Sequence, residues 1–255
     1  MSSARGSLEG LRVLVTRPAH QADQLCRLIE ARGASAVRLP LLAIAPVTHV
    51  GAVARRMEAA CGFDGWIFTS TNAVQHAREI WKREWPAPLT AIGPATAAAL
   101  EVGGQISAAP VATYSSEALL ELPQFQNVAG KKFLIVTGED GLAVLAPELR
   151  ARGAEVEMAE VYRRVSLPYD EDRVMSALRG TAVIIITSGG ALEHLLQLTP
   201  EPSRPGLLKK QLIVPSVRMI EKAVAMGFRT VQAPQRMSDA ALIELIEQTA
   251  SPSHD

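Results

Sequence analysis

The sequence is poor in the residues that build disulfide frameworks and metal sites. It has two cysteines among 255 residues, Cys26 and Cys61, and neither stands at a metal-binding spacing from a partner. Two isolated thiols are typical of reduced structural residues. The five histidines are scattered and form no HExxH pattern, so the sequence predicts neither zinc nor another bound metal.

Net charge and long apolar segments are also lacking. Lys plus Arg and Asp plus Glu both number 26, which leaves no bulk attraction for nucleic acid or a membrane surface. No stretch is apolar for long enough to span a bilayer. The first residues have no continuous apolar segment of the kind that a secretory signal carries. We therefore expect a cytoplasmic protein that binds neither nucleic acid nor membrane and holds a charged ligand with local groups.

The sequence does contain short apolar segments that alternate with amphipathic ones. After the first segment, Leu25, Leu28 and Ile29 recur at helical spacing. The strand candidates are residues 13–16, 66–69, 90–92, 133–137, 183–187 and 212–215. Apolar strands alternating with amphipathic helices predict an α/β fold with parallel sheets covered on both faces.

The chain also repeats itself. Residues 11–40 resemble residues 131–160, because each segment has a strand ending in Val-Thr, a helix and an Ala-Arg-Gly stop before a second strand. Residues 66–77 resemble 184–195, and residues 91–104 resemble 212–228. Such self-similarity indicates that one architecture is used twice.

The order of the repeats predicts two related, flavodoxin-like parallel-sheet domains. One is discontinuous, residues 1–38 plus 172–255, and the other is residues 48–161. Segments 39–47 and 162–171 would be two linker strands between them. Ligands in open α/β sheets bind outside the carboxyl ends of the strands, so a cleft between the domains is the expected site.

Four strand-to-helix turns are rich in small hydroxyl or amide residues: 69–72, 93–96, 187–190 and 215–216. Free N–H groups at a helix N-terminus attract anions, but the same residues are ordinary helix caps. Four such turns in matching positions make a polyanion site an equal alternative to capping. No turn reads GxxxxGK[ST] or GxGxxG, so nucleotide phosphate is not the expected anion.

Three further features stand beside these turns. Tyr162 is either a strand residue packed at a hinge or a phenol that donates a proton to a leaving oxygen. Arg17 either pairs with a ligand carboxylate or is an exposed structural arginine. Ser115 and Ser116 favour a helix start by capping, with ligand contact as the second alternative. The sequence offers no Ser–His–Asp set, nucleophilic cysteine or carboxylate pair.

In their order along the chain, these segments resemble the uroporphyrinogen-III synthase family. The resemblance spans almost the whole chain. The motifs that carry it are residues 15–18, 68–74, 92–96, 114–117, 161–163, 187–189 and 238–239. Residues 213–217, Ile-Val-Pro-Ser-Val, depart from the Ile-Gly-Pro-x-Thr pattern of residues 92–96.

The resemblance implies two related α/β domains joined by a two-stranded linker, and a lyase that converts hydroxymethylbilane to uroporphyrinogen III without metal or cofactor. It implies that Tyr162 assists loss of the hydroxyl group. It also implies that the polar positions lining the family's cleft correspond to Ser70, Thr96, Ser188 and Ser216. The further candidate binding residues, from the same turns and helix starts, are Arg17, Thr71, Asn72, Ser115, Ser116 and Gly189.

The expected route runs through loss of water to an azafulvene and then a spiro intermediate that inverts the last pyrrole. The reactive groups belong to the substrate, so the protein contributes mainly orientation. The resemblance further suggests a monomer with possible transient contact to the preceding pathway enzyme.

Two alternatives stay open. A non-catalytic two-lobed module for small polyanions would bind without turnover and would not need Tyr162. A two-lobed nucleotide-sugar transferase would bind diphosphate at a glycine-rich loop, for which Gly189-Gly190 is a poor candidate.

Overall fold

Contacts between residues divide the chain into two units. The computed structural model describes residues 7–86, 88–101, 107–108, 116–139, 141, 144–235 and 237–250. Unit 1 comprises Met1–Ala43 and Val165–Asp255, and unit 2 comprises Ile44–Arg164. A helix long and apolar enough to cross a membrane is not found among the described residues.

Strands and helices alternate through most of the chain. The strands are β1 (Arg12–Val15), β2 (Ser35–Arg38), β3 (Leu42–Pro46), β4 (Gly65–Phe68), β5 (Leu89–Ala91), β6 (Ser107–Ala108), β7 (Lys132–Gly138), β8 (Glu155–Ser166), β9 (Val183–Ile185), β10 (Gln211–Ile213) and β11 (Thr230–Gln232). The α-helices are α1 (Ala19–Ala31), α2 (Val50–Ala59), α3 (Thr71–Ile80), α4 (Pro94–Glu101), α5 (Ser116–Leu120), α6 (Leu145–Ala151), α7 (Glu171–Leu178), α8 (Gly189–Leu198), α9 (Arg204–Leu207), α10 (Val217–Ala225) and α11 (Asp239–Ala250). Short 3₁₀ helices cover Pro123–Phe125 and Glu201–Ser203.

Unit 1 is built on a parallel sheet with the order β11-β10-β9-β1-β2. Successive side chains of a strand point to opposite faces, so Val13 and Val15 pack on one side with Ile185. Leu14 packs on the other side with Ile184. Both faces are therefore buried, which explains why the central strands are continuous apolar runs.

Unit 2 contains a sheet with the order β3-β8-β7-β4-β5-β6. The pairs from β8 to β6 are parallel. All four residues of β4 are buried; Trp66 and Phe68 lie in one core cluster, and Ile67 lies in the other. The prediction of an α/β fold with two parallel sheets is confirmed.

The internal repeat corresponds to a shared strand order. The series β2-β1-β9-β10-β11 of unit 1 matches β8-β7-β4-β5-β6 of unit 2. The Ala-Arg-Gly stops also form the same turn, since Gly33 and Gly153 have φ of 88° and 86°. Glycine adopts such left-handed angles without a steric penalty, and this is why it ends both helices, α1 and α6.

The predicted linker strands, 39–47 and 162–171, overlap β3 and the last part of β8. Leu42–Pro46 forms β3 at the edge of the six-stranded sheet, and β8 runs without a break from Glu155 to Ser166. Pairing within a sheet satisfies the backbone groups that an isolated linker would leave to water. The predicted domain limits and the cleft expected between the domains stay predictions.

Candidate active site

The turn after β4 lies at the carboxyl edge of the six-stranded sheet. Ser70 begins α3 with extended backbone angles, φ −169° and ψ 163°, and its Oγ accepts a hydrogen bond of 3.0 Å from the Ala73 amide. Thr69 donates from Oγ1 to Thr137 Oγ1 at 2.9 Å, which ties the end of β4 to the end of β7. Capping and strand pairing therefore fix the position of the Ser70 hydroxyl.

Tyr162 extends from β8 toward this turn. Its hydroxyl lies 3.3 Å from Ser70 Oγ, and either oxygen can be the donor. Arg164 donates from Nη2 to the same phenol oxygen at 3.3 Å. The tyrosine side chain is buried, with 2% of its surface exposed. The structure thus brings together two residues that the sequence analysis singled out, Tyr162 and Ser70, with one that it did not.

A glycine makes room for the tyrosine ring. Since β7 lies between β8 and β4, the Tyr162 ring must pass over β7 to reach Ser70. It does so at Gly138, where a Cβ atom would stand 2.4 Å from the ring Cζ. The pairing of β7 with β8 shifts register between Thr137 and Gly138. Any other residue at position 138 would occupy the space that the ring fills.

Arg164 is held from two sides. Besides its bond to the phenol, its Nη1 donates to the Glu139 carbonyl at 3.3 Å. Its guanidinium carbon lies 5.5 Å from the centroid of the Tyr162 ring. Residues two apart on a strand share a face, so the spacing of Tyr162 and Arg164 was a signal for this contact in the sequence.

The remaining candidates of unit 2 are less open. Thr71 and Asn72 are half-buried in the first turn of α3. Thr96, in α4, is buried with 4% exposure, and Ser116, the first residue of α5, is buried with 5%. Ser115 lies outside the described residues. A role of Thr96, Ser115 or Ser116 in binding a ligand stays a prediction.

In unit 1, Ser188 occupies the position that Ser70 occupies in unit 2. Its backbone angles are φ −160° and ψ 161°, and its Oγ accepts from the Ala191 amide at 3.2 Å. A Cβ atom on Gly189 would lie 2.8 Å from Lys222 Nζ. That ammonium pairs with Glu193 at 2.6 Å, so a cation lies beside the start of α8.

Arg17 and Ser216 have different surroundings. Arg17 pairs with Asp239 at 2.5 Å, with side-chain exposures of 13% and 19%, a partner that the sequence analysis did not foresee. Ser216 precedes α10 and makes no side-chain cap bond, and it is exposed. Arg17 is therefore engaged by a carboxylate of the protein, whereas the Ser216 hydroxyl is accessible to solvent.

Chemically, the phenol of Tyr162 has a hydroxyl neighbour that can relay a proton and a guanidinium neighbour that can stabilise negative charge. Such a set suits proton donation to a leaving oxygen. Among the residues that the structure describes, no three His, Cys, Asp or Glu side chains are grouped so that they could hold a metal ion.

The fold and the cluster around Tyr162 define an α/β protein with two parallel sheets of related strand order and a buried phenol at the carboxyl edge of one of them. Residues 23–244 match the family model described as uroporphyrinogen-III synthase HemD. The chain therefore belongs to the uroporphyrinogen-III synthase family.

Curated relatives agree with this assignment. The uroporphyrinogen-III synthase of Salmonella typhimurium is 34% identical over 244 residues, which cover 92% of this chain and 99% of that protein. The Escherichia coli protein of the same name is 32% identical with the same coverage.

Solved structures share the fold. A mutant uroporphyrinogen III synthase from Thermus thermophilus superposes with a TM-score of 0.64 at 20% identity, covering 94% of this chain and 98% of that one. The uroporphyrinogen-III synthetase of Helicobacter pylori gives 0.62 at 16% identity, covering 94% and 99%. At these identities the likeness concerns the fold alone.

Proposed function

We propose that this protein converts hydroxymethylbilane to uroporphyrinogen III, closing the linear tetrapyrrole with loss of water and inversion of ring D. Relatives named uroporphyrinogen-III synthase match 92% of the chain. The structural observation that carries the proposal is the Tyr162 hydroxyl within 3.3 Å of both Ser70 Oγ and Arg164 Nη2. Loss of the substrate hydroxyl as water requires a proton, and a positioned phenol is a suitable donor.

The route of that proton depends on the burial of Tyr162. With 2% of its surface exposed, the phenol reaches a substrate through its neighbours. The Ser70 hydroxyl is half-buried and lies 3.3 Å from the phenol oxygen. We assign it as the relay: Ser70 donates to the leaving oxygen while it receives the proton of Tyr162. The reacting carbons and the pyrrole nitrogens belong to the substrate.

The acetate and propionate groups of the substrate require donors of hydrogen bonds at several places. Helix N-termini supply free amides and a favourable dipole. We propose the first turns of α3, α8 and α10 for this purpose, with Ser70, Thr71, Asn72, Ser188, Gly189 and Ser216 as the contacting residues. Ser216 has the strongest support among them, because its hydroxyl is exposed and does not cap its helix. Arg17 would have to leave Asp239 to bind a substrate carboxylate.

An isomer assay tests the reaction. Purified protein is mixed with freshly generated hydroxymethylbilane, the product is oxidised, and isomers I and III are separated. We expect isomer III to predominate. Isomer I alone is the product of uncatalysed closure; it would overturn the proposal and favour the two-lobed binding module, which the named relatives do not support.

We also predict the oligomeric state of the protein, its location in the cell and its contact with another enzyme. A monomer in solution is expected, and light scattering measures its mass. A cytoplasmic location is tested by cell fractionation, and transient contact with the preceding pathway enzyme is tested by the rate of transfer between the two purified proteins.

A further inference from the structure

We propose that Arg164 is a positioning residue for the reaction: it holds the hydroxyl of Tyr162 toward Ser70 and stabilises the negative charge that forms on the phenol oxygen. This inference rests on the proposed role of Tyr162. Arg164 belongs to none of the turns discussed above, and it reaches the site only through the tyrosine two residues before it.

The neighbours of Tyr162 fix the position of its ring, so only the direction of its O–H bond remains to be controlled. Gly138 fixes where the ring lies, because the ring packs directly on its backbone. His76 lies beside the ring, with the two ring centroids 5.7 Å apart. The remaining variable is the direction in which the hydroxyl presents its proton. Arg164 Nη2 donates to the phenol oxygen, which leaves the proton of Tyr162 free to point to Ser70 Oγ.

The arginine itself is anchored. Its Nη1 donates to the Glu139 carbonyl, which follows directly after β7. Within the described part of the chain, no carboxylate forms an ion pair with Arg164, so its charge is not neutralised by a neighbour. An arginine fork bound at two nitrogens is oriented, whereas most exposed side chains of this length are not.

The proton of Tyr162 moves to Ser70 Oγ as the proton of Ser70 moves to the leaving oxygen. The C–O bond of the hydroxymethyl group breaks, water departs with the bonding electrons, and the pyrrole nitrogen, which keeps its proton, donates its lone pair to give an azafulvenium cation. The phenol oxygen holds a negative charge until ring closure releases a proton from the substrate. During this interval the guanidinium of Arg164 is the cation beside it.

Substitution of Arg164 tests the inference. We expect Arg164→Gln to lower kcat about tenfold, the loss typical of one charge-assisted hydrogen bond, while KM stays within about twofold of the parent value because substrate contacts are intact. Arg164→Lys keeps the positive charge but loses the forked guanidinium, so its kcat should lie between that of Arg164→Gln and that of the parent protein. Arg56→Gln is the matched control, because Arg56 is an exposed arginine of unit 2 that, like Arg164, donates to a backbone carbonyl, here that of Met158 in β8; it should leave kcat unchanged.

The double variant separates a positioning role from a direct one. If Arg164 acts through the phenol, Arg164→Gln should have no further effect on kcat in a Tyr162→Phe background. A full tenfold loss in that background, or a raised KM with unchanged kcat, would mean that Arg164 contacts substrate, and would overturn the inference. Wild-type kcat for Arg164→Gln alone would also overturn it. If instead Tyr162→Phe keeps the wild-type rate, the proposed role of the tyrosine fails as well.

Discussion

Ser70 in unit 2 and Ser188 in unit 1 are the same structural element in two surroundings. Both precede a helix with nearly identical backbone angles, and both cap it by accepting from the amide three residues later. Around Ser188 lies an ion pair, Lys222 with Glu193. Around Ser70 lies a phenol. The cap therefore explains the shared geometry of the two turns, and only the neighbour distinguishes them.

Strand length produces this difference. In unit 1 the pairing of β1 with β2 covers four residues and ends at Val15 and Arg38. In unit 2 the pairing of β7 with β8 starts in the same register, Lys132 opposite Glu155, but continues to Gly138 opposite Tyr162. The longer pair extends past the edge where β4 ends. A repeated fold has thus placed a buried phenol beside the serine cap in one copy by lengthening two strands.

Tyr162→Phe should have the largest effect. Removing the hydroxyl is expected to lower kcat about 10²-fold, the lower range for a positioned proton donor. The share of isomer I should rise because uncatalysed closure then competes. Turnover of fresh hydroxymethylbilane, with separation of isomers, measures both quantities.

Tyr169→Phe is the matched control in unit 1. The Tyr169 hydroxyl donates to the Pro40 carbonyl at 2.8 Å, so its loss should reduce the free energy of unfolding by about 1 kcal/mol with kcat unchanged. Equal kcat values for the two variants would contradict a chemical difference between the units.

Gly138→Ala should rank next. The added methyl group would collide with the Tyr162 ring, whose Cζ is 2.4 Å from the Cβ position. We expect a loss of about 1–3 kcal/mol in the free energy of unfolding and about a tenfold fall in kcat, the cost of one misplaced hydrogen bond. In unit 1, Gly190→Ala meets no atom within 4 Å, and neither quantity should fall. Unfolding curves and kcat of the two variants are compared with those of the parent protein. An unchanged kcat for Gly138→Ala would show that the position of the Tyr162 ring does not affect the reaction.

Ser70→Ala and Ser188→Ala should be alike in stability but not in rate. Each loses one cap, and the free energy of unfolding should fall by about 1 kcal/mol in both. Only Ser70 contacts the phenol, so only its variant should lose kcat, by several-fold, because water replaces the relay imperfectly. A similar fall in kcat for both would contradict a relay role that only Ser70 has.

The two thiols should differ in reactivity without affecting kcat. Cys26 is fully buried in unit 1, and burial raises the pKa of its thiol. Because the thiolate is the reactive form, a raised pKa reduces the reactive fraction at any pH below it. Cys61 in unit 2 is exposed. Mass spectrometry after alkylation of the folded protein should find Cys61 modified and Cys26 modified only after denaturation; rapid labelling of Cys26 in the folded state would contradict the packing of α1.

The sequence predicted the central strands well and the outer ones poorly. The candidate at residues 66–69 corresponds to β4, Gly65–Phe68, with a shift of one residue. The twelve residues of β8 were divided between a domain and a linker, because buried and accessible side chains alternate along much of this strand. Apolar runs identify strands that are covered on both faces, and a strand near the sheet edge has no such run.

Local physics determined the parts that the sequence established by itself. The Ala-Arg-Gly stops and the serine caps each depend on residues close together in the chain. The contact between Ser70 and Tyr162 joins residues 92 positions apart, and that between Arg17 and Asp239 joins residues 222 apart. In neither pair does the sequence around one residue indicate which distant residue it contacts. Strand order and register decide such pairs, and these depend on the packing of the whole unit.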